Sequence, residues 1–371
     1  MYVYFVTGGA GFIGSNFVKY LLKKYRDIKI VVLDSLTYAG NFNTIEANLE
    51  DYRLSFIKGS IGDVEVVSDI FQKYPINFVI NFAAESHVDR SIIHPRIFFE
   101  TNVLGTQNLL EITKKYWTIG KNEKGYPTYK NFVKYLQIST DEVYGSLDES
   151  GCFVETTPLS PHSPYSASKA AADLLVKAYS DTYKMPVNIT RCSNNYGPYQ
   201  FPEKLIPLAI NNILEGRQLP IYGKGQNVRD WIYVEDHCKA IDLVLHKGRR
   251  GELYNVGGNN ERKNIDVVKL IISTTKNLLE ENVQYQKVLH LPASKYSLEW
   301  VNENLISFTE DRLGHDKRYA LDFTKITMEL GWQPDMQFER GVLKTICWYL
   351  ENQDWVNEVT LGKNFSFYEK I

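Results

Sequence analysis

The sequence predicts an α/β fold, with a doubly wound parallel sheet and a smaller, interleaved C-terminal domain. In the first half of the chain, near-continuous apolar strand segments alternate with helical segments, as in parallel sheets that are covered on both faces. In the second half the pattern is less regular, and loops rich in proline and glycine separate the elements. The length of 371 residues fits one large domain or two fused ones.

Individual elements follow from their residue patterns. Apolar runs predict strands at residues 2–6, 28–34, 54–63, 76–84, 132–139, 187–194 and 251–258. The helical segments run from the end of TGGAGFIG to about Tyr25, over VVSDIFQKY, from about Pro95 to Tyr116, from about Ser166 to Tyr183, and over ERKNIDVVKLIISTTKNLL. The polar segment 117–131 predicts a surface loop, and the tail after Trp355 has no clear period.

Composition argues against several functional classes. The formal net charge is −2 and there is no long basic block, which argues against nucleic acid or an anionic membrane as the main partner. No apolar run approaches the ~20 residues of a membrane span, and the N-terminus lacks the features of a signal peptide. Four scattered cysteines predict neither a disulfide framework nor a metal site, so we expect a reduced, cytoplasmic compartment.

The first chemical motif follows the first predicted strand. In VTGGAGFIGSNF, Gly9, Gly11 and Gly14 fit GxGxxG, whereas Gly8, Gly11 and Gly14 fit the related GxxGxxG. Glycines let the backbone approach a pyrophosphate, whose charge then lies at a helix N-terminus. Asp34 ends the next predicted strand, where a carboxylate accepts ribose hydroxyls and repels a 2′-phosphate. These features predict a Rossmann-type site for NAD rather than NADP.

A second motif places Tyr165 and Lys169 four residues apart on a predicted helix. That spacing puts both side chains on one face. To act as a base near neutrality, a tyrosine must lose about three units from its usual pKa of ~10, and a nearby ammonium supplies part of that change. Alone, a tyrosine and a lysine at this spacing are more often exposed on the surface of a helix. Downstream of a dinucleotide motif, the pair predicts that Tyr165 is a catalytic base.

The third motif is ISTDEVYGS, where Asp141 and Glu142 follow the end of a predicted strand. Ligands of doubly wound sheets lie beyond the carboxyl ends of the strands. Because two close carboxylates hinder each other's ionisation, one can stay protonated while the other is charged. The pair therefore predicts one acid and one base in the same pocket, as the elimination of water requires.

Taken together, these motifs carry a resemblance to a known family. The motifs, in order, are TGGAGFIG, LDSLTYAGN, NFAAESHVDRSI, STDEVYGS, SPYSASKAAAD, RCSNNYGPYQFPEKLIP, YGKGQNVRDWIYVEDH and DRLGHDKRYALD. Over about residues 1–350 the chain resembles the extended short-chain dehydrogenase/reductase family, and within it the family of dTDP-glucose 4,6-dehydratases. The departures are the longer segment 117–131 and the tail.

The resemblance implies a lyase (hydro-lyase) mechanism on dTDP-glucose. Tyr165 matches the base for the 4-hydroxyl proton while hydride passes to NAD. Lys169 matches the residue that holds the nicotinamide ribose and lowers the tyrosine pKa, and Thr140 bonds near the 4-oxygen. Glu142 then matches the base for the proton on carbon 5, and Asp141 matches the acid for the departing 6-hydroxyl. Hydride return to carbon 6 yields dTDP-4-keto-6-deoxyglucose and regenerates NAD.

The same resemblance implies binding residues. Cofactor-binding residues would be Gly8, Gly11, Phe12, Ile13, Gly14, Asp34, Ser35, Leu36, Thr37, Ile61, Asp63, Ala83, Tyr165 and Lys169. Substrate-binding residues would be Ser86, His87, Asn194, Glu203, Lys204, Leu205, Pro220, Tyr222, Arg229, Asn264 and His315. Arg229 also makes independent sense, since a guanidinium fork suits a pyrophosphate.

A domain division and an assembly also follow from the resemblance. We expect an NAD-binding Rossmann domain at 1–190 with a return segment at about 228–256, a discontinuous nucleotide-sugar domain at 191–227 and 257–350, and a tail at 351–371. Long helices at about 95–116 and 166–183 would pair two subunits into a homodimer through a four-helix interface.

Two other readings stay open. A UDP-hexose 4-epimerase or a UDP-glucuronate decarboxylase of the same family shares the glycine loop and the Tyr–Lys pair. An epimerase does not need an acid–base pair beside carbons 5 and 6, however, and a decarboxylase needs only part of one. A non-catalytic NAD-binding sensor belongs to another class, but such relatives typically lose the tyrosine or the lysine. The nucleotide base and the downstream pathway are not fixed by the sequence.

Overall fold

The computed structural model describes residues 1–289 and 297–361, with the side chain of Leu361 left out. The strands in chain order are β1 (Tyr2–Thr7), β2 (Ile28–Asp34), β3 (Leu54–Lys58), β4 (Phe78–Asn81), β5 (Thr118–Lys121), β6 (Pro127–Tyr129), β7 (Lys134–Thr140), β8 (Val187–Cys192), β9 (Asn194–Tyr196), β10 (Leu219–Tyr222), β11 (Val228–Tyr233), β12 (Leu253–Val256), β13 (Glu261–Lys263) and β14 (Ile306–Thr309).

The helices surround these strands. In chain order they are α1 (Phe12–Lys24), α2 (Asn43–Glu46), α3 (Val64–Lys73), α4 (Val88–Ile93), α5 (Pro95–Phe99), α6 (Thr106–Trp117), α7 (Pro164–Tyr183), α8 (Leu205–Leu214), α9 (Val234–Lys247), α10 (Asn264–Glu281), α11 (Val283–Gln286), α12 (Thr324–Leu330), α13 (Phe338–Glu351) and α14 (Gln353–Leu361). None of the described helices is both long enough and apolar enough to cross a membrane.

A seven-stranded parallel sheet in the order β12-β8-β7-β4-β1-β2-β3 forms the centre of the fold. The chain moves outward from β1 through β2 to β3, and then continues on the other side of β1 with β4. The direction of winding therefore changes between β1 and β4, and a crevice for ligands opens at the carboxyl ends of these strands. The predicted fold class, a doubly wound sheet of the Rossmann type, is confirmed.

Helices cover both faces of this sheet, because successive side chains of each strand point to opposite sides. Tyr4 and Val6 of β1 pack with α1, α9 and α12 on one face. Val3 and Phe5 pack with α3, α6 and α7 on the other face. All four side chains are at most 2% exposed, which explains why the strand reads as a continuous apolar run.

A second lobe has its own apolar core, built mainly from α8, α10 and α13. Two small sheets complete it: the parallel pair β10-β14 and the three-stranded sheet β13-β11-β9. Strand β11 therefore belongs to a small sheet. Of the two elements that follow it, α9 packs on the central sheet and β12 pairs with β8 within it. The domain boundaries themselves stay a prediction.

The segment 117–131 differs from its prediction as a loop. It contains the antiparallel strands β5 and β6, which a turn at Gly125, with φ of +81°, connects. Side chains of this hairpin are mostly exposed or half-buried, Ile119 being 66% exposed. Without an apolar face, a short hairpin leaves no alternating pattern in the sequence.

The predicted helix from Pro95 to Tyr116 is continuous but not uniform. Between α5 and α6, the residues Glu100–Gly105 form a π-helical turn. This turn directs the side chain of Asn102 inward, where it bonds both the backbone N–H and the carbonyl of Glu85, at 2.9 and 3.0 Å, and the hydroxyl of Ser168 at 2.8 Å. Turns of this type are frequent at functional sites.

Several element boundaries also differ from prediction. The third strand ends at Lys58 rather than near 63, the fourth covers only Phe78–Asn81, and Glu261–Lys263 is a strand before helix α10 rather than its first turn. The tail, which showed no period, begins with helix α14, whose Val356 is buried against the second core. Residues 362–371 of the tail lie outside the described residues.

Candidate active site

Two adjoining cavities lie beyond the carboxyl ends of the central strands. One, of about 330 Å³, is lined by the loop after β1, the ends of β2 and β7, and the helix pair Tyr165 and Lys169. The other, of about 970 Å³, lies between the central sheet and the second lobe. They share wall residues that include Glu142, Asn194 and Lys204, so this wall is where a bound cofactor and a bound substrate would meet.

The glycine loop fits a dinucleotide. Gly8 has φ of +67°, and a Cβ there would lie 2.7 Å from the backbone nitrogen of Ala83. A Cβ at Gly14 would lie 2.3 Å from the carbonyl oxygen of Gly8. The N-terminus of α1 then faces the cavity without a side-chain cap and without an acidic residue in its first turn. Such a helix end favours a phosphate.

Asp34 fits the ribose end of the same ligand. Its carboxylate lines the cavity and accepts hydrogen bonds from the backbone N–H groups of Ala10 at 2.9 Å and Leu36 at 2.8 Å. Burial raises the pKa of Asp34, while these two hydrogen bonds lower it. The carboxylate is therefore fixed in place with lone pairs left for hydroxyl donors, as NAD requires.

The neighbouring acids stand on a short turn that follows β7. Residues Asp141–Tyr144 form one 3₁₀ turn, and the Thr140 hydroxyl caps it by accepting from the backbone N–H of Glu142 at 3.3 Å. That hydroxyl also lies 3.2 Å from Oδ1 of Asp141. Among the described residues, Oδ2 of Asp141 is buried without a hydrogen-bond partner. A buried, unsatisfied carboxyl oxygen is costly, and such costs are typical of functional sites.

The electrostatics of the two acids differ. Burial raises the pKa of Asp141 well above its usual range, and the charges of Glu142 and Asp230 raise it further. Burial also raises the pKa of Glu142, but the cations Lys204, Arg312 and Arg229 oppose that rise, in that order. Asp141 is thus favoured in its protonated form, and Glu142 receives the cationic support that stabilises a carboxylate.

Helix α7 carries the Tyr–Lys pair to the same cavity. It begins with a capping box at Ser163 and Ser166, so Tyr165 lies in its first turn. Farther along, Asp173 accepts from the Ser139 hydroxyl and from Nε of Arg191, each at 2.9 Å, which anchors the helix to β7 and β8. The first turn is therefore fixed relative to the acids.

The lowering of the Tyr165 pKa expected from Lys169 is not found. Burial raises that pKa well above its usual value, and the charge of Glu142 adds to the rise, whereas a hydrogen bond with Thr140 opposes it. Lys169 instead donates to the carbonyl of Ile138 at 2.7 Å, and burial lowers its own pKa. A positive charge on a bound ligand would lower the pKa of Tyr165.

The larger cavity gathers cations, amides and aromatic rings. Asn194 and Asn264 line it, and within the described part of the chain their Oδ1 atoms are buried without a hydrogen-bond partner. Tyr222, Trp231 and Tyr319 supply aromatic walls. Unsatisfied amide oxygens beside rings and cations suit a ligand with a base, hydroxyls and phosphates.

The guanidinium group of Arg229 is already held by hydrogen bonds to the backbone. Its Nη1 donates to the carbonyl of Val228 at 2.8 Å and its Nη2 to that of Asp316 at 2.9 Å, while its Cζ lies 4.3 Å from the ring centroid of Tyr319. The backbone therefore already uses two of its nitrogens. Arg312, which sequence reasoning passed over, lines the same cavity and is a second guanidinium for an anionic ligand.

His87 is neutral. Its Nδ1 accepts from the backbone N–H of Arg90 at 3.3 Å, which leaves the proton on Nε2, 3.7 Å from Oε2 of Glu203. Burial, together with the charge of Lys204, lowers its pKa to about 2. His87 thus lines the larger cavity as an uncharged side chain that can donate a hydrogen bond from Nε2.

Most expected site residues lie in one of the two cavities. The cofactor set lines the smaller cavity, except for Leu36 and Asp63. Asp63 instead caps α3, because its carboxylate accepts from the backbone N–H groups of Glu65 and Val66. All the expected substrate residues except Ser86 line the larger cavity, and Ser86 lines the smaller one.

The sequence reasoning also missed several wall residues. These are Asp89, Gln200, Phe201, Trp231, Arg312, Asp316 and Tyr319. All seven lie inside the motifs that carry the family resemblance, but the sequence alone does not show that they face the cavities. Within the described ranges, no group of three or more His, Cys, Asp or Glu residues could hold a metal ion.

A switch-point cavity with a glycine loop, an acidic ribose site and a Tyr–Lys pair defines an extended short-chain dehydrogenase/reductase. The family model described as GDP-mannose 4,6 dehydratase matches residues 5–345. A dTDP-glucose 4,6-dehydratase from Xanthomonas campestris pv. campestris (strain B100) is 51% identical over 363 residues, which cover 98% of this chain and 97% of the relative. The chain belongs to the dTDP-glucose 4,6-dehydratase family.

Solved structures give the same result. The dTDP-glucose 4,6-dehydratase from Bacillus anthracis str. Ames, in complex with NAD, superposes with a TM-score of 0.81 at 45% identity, covering 97% of this chain and 100% of that one. The dTDP-glucose 4,6-dehydratase from Streptomyces venezuelae, with NAD and TYD bound, superposes with a TM-score of 0.82 at 42% identity, covering 96% and 99%.

Proposed function

We propose that the protein is a hydro-lyase that converts dTDP-glucose to dTDP-4-keto-6-deoxyglucose with NAD as its resident cofactor. The observation that carries this proposal is the pair of a buried Asp141 and a half-buried Glu142, which lines the same cavity as Tyr165. Dehydration needs a proton donor and a proton acceptor beside a group that handles the sugar's 4-hydroxyl. The relatives named above, including two solved with NAD, support the choice of reaction and cofactor.

NAD would occupy the smaller cavity. Gly8, Gly11 and Gly14 would admit its pyrophosphate to the N-terminus of α1, and Asp34 would accept its ribose hydroxyls. When bound, NAD supplies a hydride acceptor for carbon 4 of the sugar, and its reduced form supplies the hydride that returns to carbon 6. The chain's own residues supply the proton transfers.

Tyr165 is the proposed base for the 4-hydroxyl. In its neutral form it holds a proton, so it must ionise when the site is loaded. Thr140 supports the phenolate, because a hydrogen bond between the two hydroxyls lowers the Tyr165 pKa. Lys169, which donates to the carbonyl of Ile138 and lines the same cavity, would hold the nicotinamide ribose. Loss of the 4-hydroxyl proton to Tyr165 and of the carbon 4 hydride to bound NAD would together leave a ketone at carbon 4.

Glu142 and Asp141 then divide the elimination between them. A ketone at carbon 4 acidifies the proton on carbon 5, and Glu142, supported by Lys204 and Arg312, takes that proton. Asp141, held protonated by burial, gives its proton to the departing 6-hydroxyl, which leaves as water. Glu142 thus accepts a proton, whereas Asp141 donates one. Carbon 5 regains a proton after the hydride has returned to carbon 6.

The larger cavity is the proposed nucleotide end of the substrate site. Lys204, Arg217, Arg229 and Arg312 give it the positive charge that a diphosphate requires. The ring of Tyr222, which lines this cavity with Pro220, would stack on the base. The amide oxygens of Asn194 and Asn264 offer acceptors for nucleotide donors.

We also propose a homodimer. Helices α5 and α6, with the π turn between them, expose Ile97, Phe99 and Leu104 at 39%, 42% and 60%, and α7 exposes Leu174 at 61%. Exposed apolar side chains on neighbouring helices are typical of an interface. These are the two helical segments from which the sequence predicted a four-helix contact.

Incubation with dTDP-glucose tests the function. Mass spectrometry of the product should show the loss of one water, and the protein's NAD content should not change after many turnovers. A product of unchanged mass and inverted carbon 4 would establish an epimerase instead. Release of carbon dioxide from UDP-glucuronate would establish a decarboxylase, and bound NAD without conversion of any nucleotide hexose would establish a sensor.

A further inference from the structure

The loop that connects β9 to α8 contains a strained residue. Tyr199 has φ of +67°, in the left-handed region that side chains other than glycine rarely adopt. Such strain persists only where surrounding contacts hold it, and it is typical of functional segments. Of the residues that follow, Gln200, Glu203 and Lys204 line both cavities, and Phe201 lines the smaller one. The strained position therefore lies directly before the part of the loop that builds the site.

Three side chains hold the ring of Tyr199. Its centroid lies 4.5 Å from that of Trp348 on α13 and 5.6 Å from that of Trp355 on α14. Nζ of Lys19, on α1, lies 3.2 Å from the ring centroid. The ring is thus enclosed by the helix that follows the glycine loop and by the last two helices of the described chain.

The backbone around Tyr199 is held by the same elements. Asn16 on α1 donates to the carbonyl of Pro198 at 2.9 Å. The hydroxyl of Tyr349 on α13 donates to the carbonyl of Gln200. The side chain of Gln200 in turn donates to the carbonyl of Asn195 at 2.9 Å. Both carbonyls that flank the strained residue are therefore fixed by helices outside the loop.

Helix α14 is itself fastened across the molecule. The indole N–H of Trp355 donates to the hydroxyl of Thr44 on α2 at 3.0 Å, and its ring lies 5.2 Å from that of Trp348. Val356 is 5% exposed. The C-terminal helix, which sequence patterns left without a role, thus connects the segment after β2 to the strained loop.

We propose that Tyr199 and Trp355 are positioning residues for the substrate loop, so that helix α14 is part of the machinery that sets Glu203 and Lys204. This inference rests on the proposed dehydratase function. Lys204 supports the carboxylate of Glu142 and lines the nucleotide cavity, so a displaced loop weakens both substrate binding and the base. Small displacements of positioning groups are costly to rate.

The test is steady-state kinetics of Trp355→Ala and Tyr199→Gly in the full-length protein. Glycine keeps the positive φ without strain but removes the ring, so backbone strain and ring contacts are separated. We expect kcat/KM for dTDP-glucose to fall by roughly tenfold or more in both variants, through a higher KM and a lower kcat, with bound NAD retained. Trp355→Phe and Tyr199→Phe should restore most of the activity.

The matched control is Ile70→Ala, which removes a buried side chain of α3 on the far side of the sheet. It should lower the melting temperature without changing KM. If Trp355→Ala and Tyr199→Gly change kcat/KM no more than this control, the inference is wrong. If the wild-type protein does not dehydrate dTDP-glucose, it is the proposed function that is wrong. Calorimetry with dTDP then tests the loop on its own: weaker binding by both variants than by the wild type supports the positioning role, and equal binding contradicts it.

Discussion

Arg312 and Asp89 form an ion pair across the larger cavity, with Nε of Arg312 2.7 Å from Oδ1 of Asp89. Asp89 belongs to α4, which follows the central strand β4, whereas Arg312 belongs to the second lobe. The hydroxyl of Tyr222 donates to the same carboxylate at 3.4 Å. The pair thus connects the two lobes and fixes a positive charge that opposes the rise which burial gives to the pKa of Glu142.

Replacing Arg312 should change how the rate depends on pH. In Arg312→Met the carboxylate of Glu142 loses cationic support, so its pKa rises and the base becomes available only at higher pH. The acidic limb of the plot of kcat against pH should shift to higher pH. KM should rise because the diphosphate loses a cationic partner. Asp89→Asn is the control: it should not shift the limb upward. An unchanged limb in Arg312→Met would contradict this electrostatic role.

Tyr165→Phe should abolish the first oxidation. Phenylalanine keeps the ring and its packing beside Phe98, but it cannot accept the 4-hydroxyl proton. Loss of a general base costs roughly 100-fold to 10,000-fold in rate. A single-turnover absorbance measurement of reduced cofactor should show no transient, while NAD content and melting temperature stay near those of the wild type. A transient of normal size would remove Tyr165 from the mechanism.

Glu142→Gln should separate oxidation from elimination. Glutamine fills the same space, but it cannot take a proton from carbon 5. Reduced cofactor should therefore accumulate after mixing with substrate, while deuterium from solvent should no longer enter at carbon 5. Asp141→Asn is the comparison variant, since it should slow water loss while carbon 5 exchange continues. Normal exchange in Glu142→Gln would show that another residue is the base.

Asp141→Asn should stabilise the folded protein in a pH-dependent way. Because burial raises the folded-state pKa of Asp141 above its usual 3.8, the folded protein holds this proton more tightly than the unfolded chain does. Stability from this group is present at low pH and lost as pH rises toward the folded-state pKa. The melting temperature of the variant should exceed that of the wild type at pH 8, and the difference should shrink toward pH 4. A constant difference would contradict the linkage.

The proposed dimer can be tested on its exposed leucines. Leu104→Glu with Leu174→Glu places charges on the apolar surface of the π turn and α7, so association should weaken. Light scattering at micromolar concentration should give twice the chain mass for the wild type and a lower mass for the double variant. Leu343→Glu, on a leucine of α13 that is 40% exposed, is the matched control. A wild type with the mass of one chain would refute the dimer.

The sheet and the catalytic turn were predictable for the same physical reason. Strands buried on both faces read as near-continuous apolar runs with few charges, so the neighbouring carboxylates Asp141 and Glu142 stand out where β7 ends. By contrast, the hairpin β5–β6 has mostly exposed or half-buried side chains, and helix α14 is only nine residues long, so both leave weak patterns in the sequence. The role of Arg312 could not be read from spacing, since its partner Asp89 lies 223 residues earlier in the chain. Contacts between distant segments depend on the fold as a whole.

The shared wall between the two cavities has a consequence for the protein in a cell. In the proposed arrangement the sugar nucleotide uses the larger cavity and the dinucleotide keeps the smaller one. Because each catalytic cycle would return its electrons to the same sugar that gave them, no exchange with the soluble pool of pyridine nucleotides is needed. We therefore expect deoxysugar output to follow the supply of activated glucose and to be insensitive to the metabolic redox state of the cell.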